Sequence, residues 1–425
     1  MARDKVVCGI DVGSSKIATL IASIDENGKI NLIGVSATPS KGVRKDQVVD
    51  IEEAVNAINE SIEAAERMAG YSISSSFVSL GGPQIESINQ HAVVAVAEPE
   101  GEIKENDIYR VNEAARAIPL SSSREIVHVR PRTFIVDGQE GIRDPIGMTG
   151  VRLETDTHII TGSSTSMRNL IKCVTQVGID VSELVFSGLA SAEAVLTDTE
   201  KELGVVLVDI GGETTSVVIF VDGSISYSAV VPIGGRHITS DLAVGLRVSL
   251  ESAEKIKLSL GKIPKNPVVA EGDVPRKKEE NMLDVKALGI IEEDIQKISQ
   301  KAAIEGIIKP RLQELYKYVG KEIKKSGFGT VTPSGLVLCG GGAETAGALD
   351  QAKYVLGFPA RIGKIEGLSG LIDEIDSPAF ASAAGLIIYG AKEGHSESRL
   401  PSLGKGLPIK GMFQKGVSYV KSFLP

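Results

Sequence analysis

Two turns in distant parts of the chain combine an aspartate with small or polar residues in the same order. In each, a β-branched apolar run carries the aspartate, Asp11 or Asp209, into the turn. Small residues let backbone N–H groups approach an anion closely, because no Cβ is in the way. The turns therefore predict a phosphate site formed by Asp11, Gly13, Ser14, Ser15, Lys16, Asp209, Gly211, Gly212, Glu213, Thr214 and Thr215.

Each type of residue at this site is expected to bind a different part of the ligand. Carboxylates cannot bind phosphate directly, so Asp11 and Asp209 are expected to hold Mg²⁺ through water. Lys16 would place its positive charge on a phosphate, and the two threonines would donate hydroxyl hydrogen bonds. A third element, Gly340, Gly341 and Gly342 in "LVLCGGGAET", is predicted between a buried strand and a helix start, where free N–H groups favour a nucleotide. Walker and Rossmann glycine motifs are absent from the sequence, which excludes those nucleotide folds.

The chain contains an internal repeat around these turns. "VVCGIDVGSSKIATLIAS" and "GVVLVDIGGETTSVVIFV" share the order strand, Asp-x-Gly turn, strand, and a further strand follows each. Agreement in both register and element order favours a duplication over chance. Between the repeats, apolar spacing predicts a helix that begins after Asp50 and stops at Gly70.

Composition limits the class of protein. A chain of 425 residues needs more than one domain, and a net charge of −9 with no Trp argues against a nucleic-acid partner. The three cysteines are far apart and lack metal-ligand spacing, as expected of reduced thiols. The N-terminal residues enter a strand pattern at once and no apolar run reaches 18 residues, so we expect a cytoplasmic protein without a signal peptide or membrane span.

Changes along the sequence between helix-type and strand-type patterns predict the domain organisation. Two α/β lobes are expected, with a small α+β domain inserted in the first lobe and a further insertion in the second. The predicted ranges are 1–83 and 163–196 for the first lobe, 84–162 for the inserted domain, 197–229 and 308–392 for the second lobe, 230–307 for its insertion, 393–408 for a flexible linker and 409–425 for a C-terminal helix.

The last seventeen residues predict an amphipathic helix. Its apolar face is formed by Ile409, Met412, Phe413, Val417, Val420, Phe423 and Leu424, and its basic residues are Lys410, Lys415 and Lys421. Basic residues suit anionic lipid headgroups, each contributing about 1 kcal/mol near the surface. The segment is expected to lie in the membrane surface without crossing it; a terminal helix packed on the protein's own body is the alternative.

These motifs resemble those of the actin superfamily. "DVGSSK" and "DIGGETTS" are similar to its two phosphate motifs, and "LCGGGAE" to its adenosine motif. "FSGLASAEAVL" and "SPAFASAAGLIIYG" are similar to its connecting helices, and "ESAEKIK" to its adenosine-facing helix. Within the superfamily, the chain most resembles the FtsA family of bacterial division proteins, because it has the "SKGVRKDQVVDIEEAV" segment, the inserted domain and the basic tail.

The resemblance implies a fold and a function. The fold would be α/β, an actin-like (ribonuclease H-like) architecture of two lobes with duplicated halves and an inserted α+β domain. The chain would bind ATP and Mg²⁺, with Glu254 and Lys257 near the ribose and adenine. It would form filaments on the cytoplasmic membrane at the division site and anchor FtsZ through residues 230–307.

Several positions depart from the family pattern. Asp46 stands where a glycine is usual, which puts that loop in doubt, and Glu213 and Ser216 stand where Gly and Asp are frequent. The first connecting helix has Gly188 or Leu189 where related ATPases carry a Gln or Glu that positions water. Glu193 is about one helical turn too far along, so ATP hydrolysis is expected to be slow or absent.

Two other functions fit the same fold. An adaptor of a type IV pilus or secretion machine, similar to PilM, would share the fold and the inserted domain but is not expected to carry the basic tail. A sugar kinase or phosphatase would need a general-base carboxylate facing a substrate cleft, and the sequence offers no clear candidate.

Overall fold

A computed structural model of the chain describes residues 5–97, 101–262, 282–290 and 297–396. Within these ranges, no helix combines the length and apolar character needed to cross a membrane. The predicted amphipathic helix 409–425, most of the predicted linker and parts of the predicted insertion 230–307 lie outside the described residues.

Residues 5–80 form most of the first lobe. Their elements are β1 (Lys5–Val12), β2 (Lys16–Ile24), β3 (Ile30–Pro39), β4 (Val43–Arg44), β5 (Gln47–Val48), α1 (Ile51–Ala69) and β6 (Ser75–Leu80). The predicted helix boundaries are confirmed for α1. Asp50 accepts a hydrogen bond from the backbone N–H of Glu53, and Gly70 ends the helix in the left-handed conformation.

The inserted domain is an antiparallel sheet with one helix packed on it. Its elements are β7 (Glu86–Ala95), α2 (Glu105–Arg116), β8 (Arg124–Val136), β9 (Gln139–Ile142) and β10 (Arg152–Ser163). The strand order is β7-β10-β8-β9, and Val111 and Ala115 of α2 are buried in a core separate from those of the lobes. The domain therefore has its own apolar centre.

The chain then passes through the first lobe to the second. The connecting elements are α3 (Ser164–Gln176), β11 (Asp180–Phe186), α4 (Ser187–Val195) and α5 (Asp198–Leu203). The strand β11 pairs in parallel with β6, which places it at the edge of the first sheet. The helix α4 starts where β11 ends and packs against the strands of the second lobe.

The second lobe repeats the first. Its elements are β12 (Val205–Ile210), β13 (Thr215–Val221), β14 (Ser224–Val231), α6 (Gly235–Leu246), α7 (Leu250–Gly261), β15 (Met282–Asp284), β16 (Lys297–Ser299), α8 (Gln300–Ala303), α9 (Lys309–Ser326), β17 (Leu336–Cys339), α10 (Ala348–Leu356) and β18 (Ala360–Ile362). Its sheet has the order β14-β13-β12-β17-β18. The antiparallel run β12-β13-β14 matches β1-β2-β3, as the predicted duplication requires.

The last two elements return to the first lobe. They are β19 (Leu368–Gly370) and α11 (Ala381–Ser396). The strand β19 pairs with β3, and α11 packs on β1, β2 and β6, so the first sheet has the order β11-β6-β1-β2-β3-β19. The assignment of 308–392 entirely to the second lobe is wrong for these elements, because β3 offers an open sheet edge and α11 an apolar face that covers β1.

The same helix corrects the start of the linker. The predicted linker begins at residue 393, whereas α11 continues to Ser396. A polar composition does not end a helix whose earlier turns are already fixed in the core, because adding residues to a formed helix costs little compared with nucleating one.

The two lobes are joined where α4 and α11 cross. A Cβ added to Gly385 of α11 would lie 1.7 Å from the backbone oxygen of Ala190 in α4. The two backbones approach this closely because a glycine of α11 meets an alanine of α4, so no larger side chain separates them. The helix α4 follows β11 of the first lobe and packs on β12 and β13 of the second, whereas α11 packs on β1, β2 and β6 of the first.

The inserted domain also contacts the second lobe. Arg132 and Asn89 donate hydrogen bonds to the Ser226 side chain and backbone at 3.0 Å each. His158 is buried, with Nδ1 2.6 Å from the side-chain oxygen of Asn89 and Nε2 2.8 Å from the Ser228 hydroxyl. The contact between the inserted domain and β14 is therefore rich in polar bonds, and it joins a domain inserted in the first lobe to the sheet of the second.

The close contact of α4 and α11 predicts a sharp response to one methyl group. Gly385→Ala forces the two backbones apart and should lower the free energy of unfolding by about 1–3 kcal/mol, as overpacking of a core does. Gly306→Ala is the matched control, since nothing lies within 4 Å of a Cβ there. Urea unfolding of both variants checks this, and equal stabilities would contradict the described helix contact.

Candidate functional site

The two predicted turns have the same backbone geometry and face each other. In the first, the N–H of Gly13 donates to the carbonyl oxygen of Lys16 at 3.1 Å; in the second, the N–H of Gly211 donates to that of Thr214 at 2.8 Å. A Cβ on Gly212 would lie 2.9 Å from the Cβ of Ser15. The turns enclose a cleft of about 250 Å³ between the lobes.

Most of the predicted site residues line this cleft. Those that do are Asp11, Gly13, Ser14, Ser15, Lys16, Asp209, Gly211, Gly212, Thr214, Glu254, Lys257, Gly340, Gly341 and Gly342. Thr215 does not, because its hydroxyl donates to the carbonyl oxygen of Ile233 inside the lobe. Glu213 turns to the rim, where it pairs with Arg236 at 3.0 Å and accepts the N–H of Lys45 at 2.7 Å.

The two aspartates are held by equivalent serines. The Ser191 hydroxyl of α4 donates to Asp209 at 2.6 Å, and the Ser382 hydroxyl of α11 donates to Asp11 at 2.9 Å. Each serine therefore fixes the carboxylate of the sheet on which its helix packs. Both serines lie in an Ala-Ser-Ala triplet, and this repeat is the signal by which sequence reasoning could have found them.

Negative charge is concentrated in the cleft. Burial, together with the nearby charges of Asp11 and Asp46, raises the pKa of Asp209 to about 7 despite the opposing Ser191 hydrogen bond and Lys16 charge. Burial also lowers the pKa of Lys16, whose amine lies 3.5 Å from the centre of the Phe380 ring. Bringing a cation to the carboxylates would relieve this repulsion.

The residues present suit Mg²⁺ held through water. Among the residues the structure describes, no group of three or more His, Cys, Asp or Glu side chains is arranged to hold a metal ion. Asp11 and Asp209 nevertheless face one cleft with glycine-rich turns beside them. An ion there would take most of its ligands from water and from a bound phosphate, as Mg²⁺ commonly does.

The third glycine element differs from its prediction. Residues Gly341–Glu344 form a short 3₁₀ turn, and the helix α10 begins only at Ala348. The prediction that a helix begins directly after the glycines is therefore wrong. Gly340 has a φ of 77°, and a Cβ there would lie 2.3 Å from Asp209 Oδ1. Any side chain at this position would collide with the carboxylate that the cleft needs.

The far end of the cleft carries the predicted base-facing pair. Lys257 Nζ lies 2.7 Å from Glu254 and 2.9 Å from the hydroxyl of Thr239. Gly235 lies beside this pair, at the start of α6, and its N–H donates to the carbonyl oxygen of Gly211 at 2.9 Å. Sequence reasoning did not assign Gly235 or Arg236 to the site, although both line it.

Asp46 also lies in the cleft. The sequence predicts that its departure from glycine affects only its own loop; the structure corrects this, because Asp46 lines the cleft. Its carboxylate accepts hydrogen bonds from the Ser14 N–H at 3.1 Å, from the Ser14 hydroxyl at 2.7 Å and from the Thr214 hydroxyl. The bonds could not be foreseen, because the loop and the second turn are 168 residues apart.

Glu193 takes no part in the cleft. Its carboxylate lies 3.4 Å from Lys201 and also pairs with Lys392, and it does not line the cavity. These lysines lower its pKa despite burial, which keeps it charged and engaged. It has neither the position nor the freedom of a general base.

Comparison with known proteins decides the family. Residues 82–161 match the domain described as "SHS2 domain inserted in FTSA", and residues 206–385 match "Cell division protein FtsA". A cell division protein FtsA from Borreliella burgdorferi is 40% identical over 92% of this chain and 91% of its own length. One from Bacillus subtilis is 32% identical over 98% of this chain and 90% of its own. The chain belongs to the FtsA family of cell division proteins.

Solved structures agree on the fold. A type IV pilus biogenesis complex of PilM and PilN contains a chain with a TM-score of 0.63 and 16% identity, matched over 91% of this chain and 98% of its own length. MreB5 of Spiroplasma citri bound to ADP has a TM-score of 0.53 and 13% identity, over 93% and 99% respectively. At these identities the likeness shows the actin-like fold alone, and the sequence relatives separate the FtsA family from a PilM-like adaptor.

The raised pKa of Asp209 predicts how stability depends on pH. Because the folded-state pKa lies above the ordinary value of 3.8, the native protein binds the extra proton, and stability is lost as pH rises towards 7. Asp209→Asn removes this dependence while it can still accept the Ser191 hydrogen bond. Without ligand, the stability advantage of the variant over the wild type should grow by about 2 kcal/mol between pH 5.5 and pH 8, because the folded-state carboxyl loses its proton in that range. Urea unfolding at both pH values checks this, and an advantage that does not grow with pH would contradict it.

Proposed function

We propose that this FtsA-family chain binds ATP with Mg²⁺ in the cleft between its lobes. In its ATP-bound state the chain would form filaments on the membrane at the division site. One observation carries the nucleotide proposal: two equivalent Asp-x-Gly turns face each other across one cleft, which Gly340–Gly342 and Lys257 also line. The turns would hold the phosphates, and the glycine element and Lys257 would hold the nucleoside.

Within this arrangement each residue has a role. Backbone N–H groups of the turns and the amine of Lys16 would bind phosphate oxygens, and Asp11 and Asp209 would orient the water ligands of Mg²⁺. The bound ion would neutralise charge on the phosphates. Ser191 and Ser382 would keep the two carboxylates pointed at the ion in both lobes.

The proposed site has little means of activating water. The first turn of α4 carries Ser187, Gly188 and Leu189, and Glu193 is paired with Lys201 and Lys392 and does not line the cleft. We therefore propose that bound ATP is hydrolysed slowly or not at all, so that nucleotide binding acts as a structural switch.

Calorimetry tests the nucleotide proposal. Mg-ATP should bind the full chain, and Asp209→Asn should weaken that binding at least tenfold. A tenfold change corresponds to about 1.4 kcal/mol of binding free energy, a modest contribution for one charged group near the ion. Asp25→Asn, in an exposed turn of the first lobe, is the matched control and should bind as the wild type does. Phosphate release in the same samples should stay near background. Equal affinities of the wild type and Asp209→Asn would refute the two-turn site.

The partners of the chain follow from its family and its tail. We propose that it anchors FtsZ through residues 230–307, associates with copies of itself into filaments, and attaches to anionic lipid through residues 409–425. Each tail alone would bind weakly, and many tails on one filament would bind together through effective concentration. Co-sedimentation of the purified chain with FtsZ and anionic liposomes tests the assembly as a whole.

The tail can be tested by one variant with two readouts. Replacing Phe413, Val420 and Phe423 with Asp removes about 1.5–3 kcal/mol of burial for each side chain and adds charge that anionic lipid repels. The variant should stay in the supernatant with anionic liposomes and keep the melting temperature and Mg-ATP affinity of the wild type. A lowered melting temperature with unchanged lipid binding would instead show a terminal helix packed on the body.

A further inference from the structure

Asp46 lies at the tip of the β4–β5 hairpin in an unusual conformation. Lys45 and Asp46 both have positive φ angles, 47° and 56°, which a two-residue hairpin turn requires. Glycine adopts this conformation without strain, whereas a residue with a side chain does so uncommonly. The carboxylate of Asp46 therefore stands at a position where glycine would cost less backbone strain.

The carboxylate joins the two lobes. Oδ1 accepts both hydrogen bonds from Ser14 of the first turn, and Oδ2 accepts the hydroxyl of Thr214 from the second turn. The backbone N–H of Asp46 donates to the Ser14 hydroxyl at 2.8 Å, which fixes the loop to the turn. The backbone of Gly81 closes the space behind the side chain, because a Cβ there would lie 3.0 Å from Oδ2.

This carboxylate lies among other carboxylates, and burial, with the charge of Asp11, raises its pKa above the ordinary value. Asp11 and Asp209 both lie close enough to interact with it through their charges, and in the described part of the chain it forms no ion pair with a lysine or arginine. Its partners are one backbone N–H and two hydroxyls, the kind of donors that bind phosphate oxygens. The site therefore uses phosphate-type donors to hold one of the protein's own side chains.

We propose that Asp46 is an internal anion that occupies, on Ser14 and Thr214, the place of a nucleotide's terminal phosphate, and so sets the preference of the site between nucleoside diphosphates and triphosphates. This inference rests on the proposed nucleotide site. A diphosphate leaves Asp46 on Ser14 and Thr214. The third phosphate of a triphosphate must displace it, which breaks the bonds between the lobes and brings two like charges together.

Two substitutions separate the charge from the side chain. Asp46→Asn keeps the shape and can still accept a bond from Ser14, but it removes the negative charge. Asp46→Gly removes the whole group and relaxes the backbone at a φ of 56°. Asp25→Asn again serves as the control, because it removes a carboxylate from an exposed turn of the same lobe.

Calorimetry with Mg-ATP and Mg-ADP on the full chain provides the test. We expect Asp46→Asn to bind Mg-ATP about tenfold more tightly than the wild type, equivalent to about 1.4 kcal/mol. Asp46→Gly should show at least the same gain. Mg-ADP affinity should stay within about twofold in both variants, and the control should change neither value. Melting temperatures measured without ligand establish that each variant is folded.

Other outcomes overturn the proposal in distinct ways. If both variants keep the wild-type ratio of ATP to ADP affinity, Asp46 does not compete with the terminal phosphate, although the nucleotide site itself stands. If both nucleotides bind more weakly to Asp46→Asn, the carboxylate supports the bound state, as a group orienting the Mg²⁺ shell would. If neither the wild type nor any variant binds a nucleotide, the proposed function fails and this inference fails with it.

Discussion

The backbone contact between α4 and α11 is the constraint on which the rest of the molecule depends. Gly385 lies directly against Ala190, so the two helices cross at a fixed distance. Ser191 of α4 donates to Asp209 in the sheet of the second lobe, and Ser382 of α11 donates to Asp11 in the sheet of the first. The crossing therefore fixes the positions of Asp11 and Asp209, and with them the width of the cleft. A larger residue at the crossing would displace both carboxylates at once.

The cleft combines a rigid frame with unfavourable electrostatics. Asp11, Asp46 and Asp209 line it together with Lys16, whose pKa is lowered by burial. Such an arrangement costs stability in the absence of a ligand and is relieved when a cation enters, which is a common compromise at binding sites. Hydrogen bonds from serine and threonine hydroxyls hold the carboxylates in place. The carboxylates therefore cannot turn towards solvent to reduce the repulsion between their charges.

Local patterns in the sequence were enough to predict the turns, the duplication and the first helix. Asp11 and Asp209 could be found because a turn of four residues is specified by neighbours along the chain, and Asp50 could be found because a helix cap is equally local. Asp46 could not be assigned to the cleft, since its contact with Thr214 spans 168 residues. The sequence prediction placed the hydroxyl of Thr215 in the site beside that of Thr214. Side chains alternate along β13, however, so the Thr215 hydroxyl points into the lobe and donates to the carbonyl oxygen of Ile233. The return of β19 and α11 to the first lobe likewise depends on an open strand edge that no local pattern reveals.

The polar contact between the inserted domain and β14 has a mechanical consequence. The domain is continuous in sequence with the first lobe, yet Asn89, Arg132 and His158 bond it to serines of the second. Burial lowers the pKa of His158 to about 3, so this ring stays neutral and its hydrogen bonds do not vary with physiological pH. The domain is thus attached to both lobes. Any rotation of one lobe against the other must either break these bonds or move the inserted domain with it.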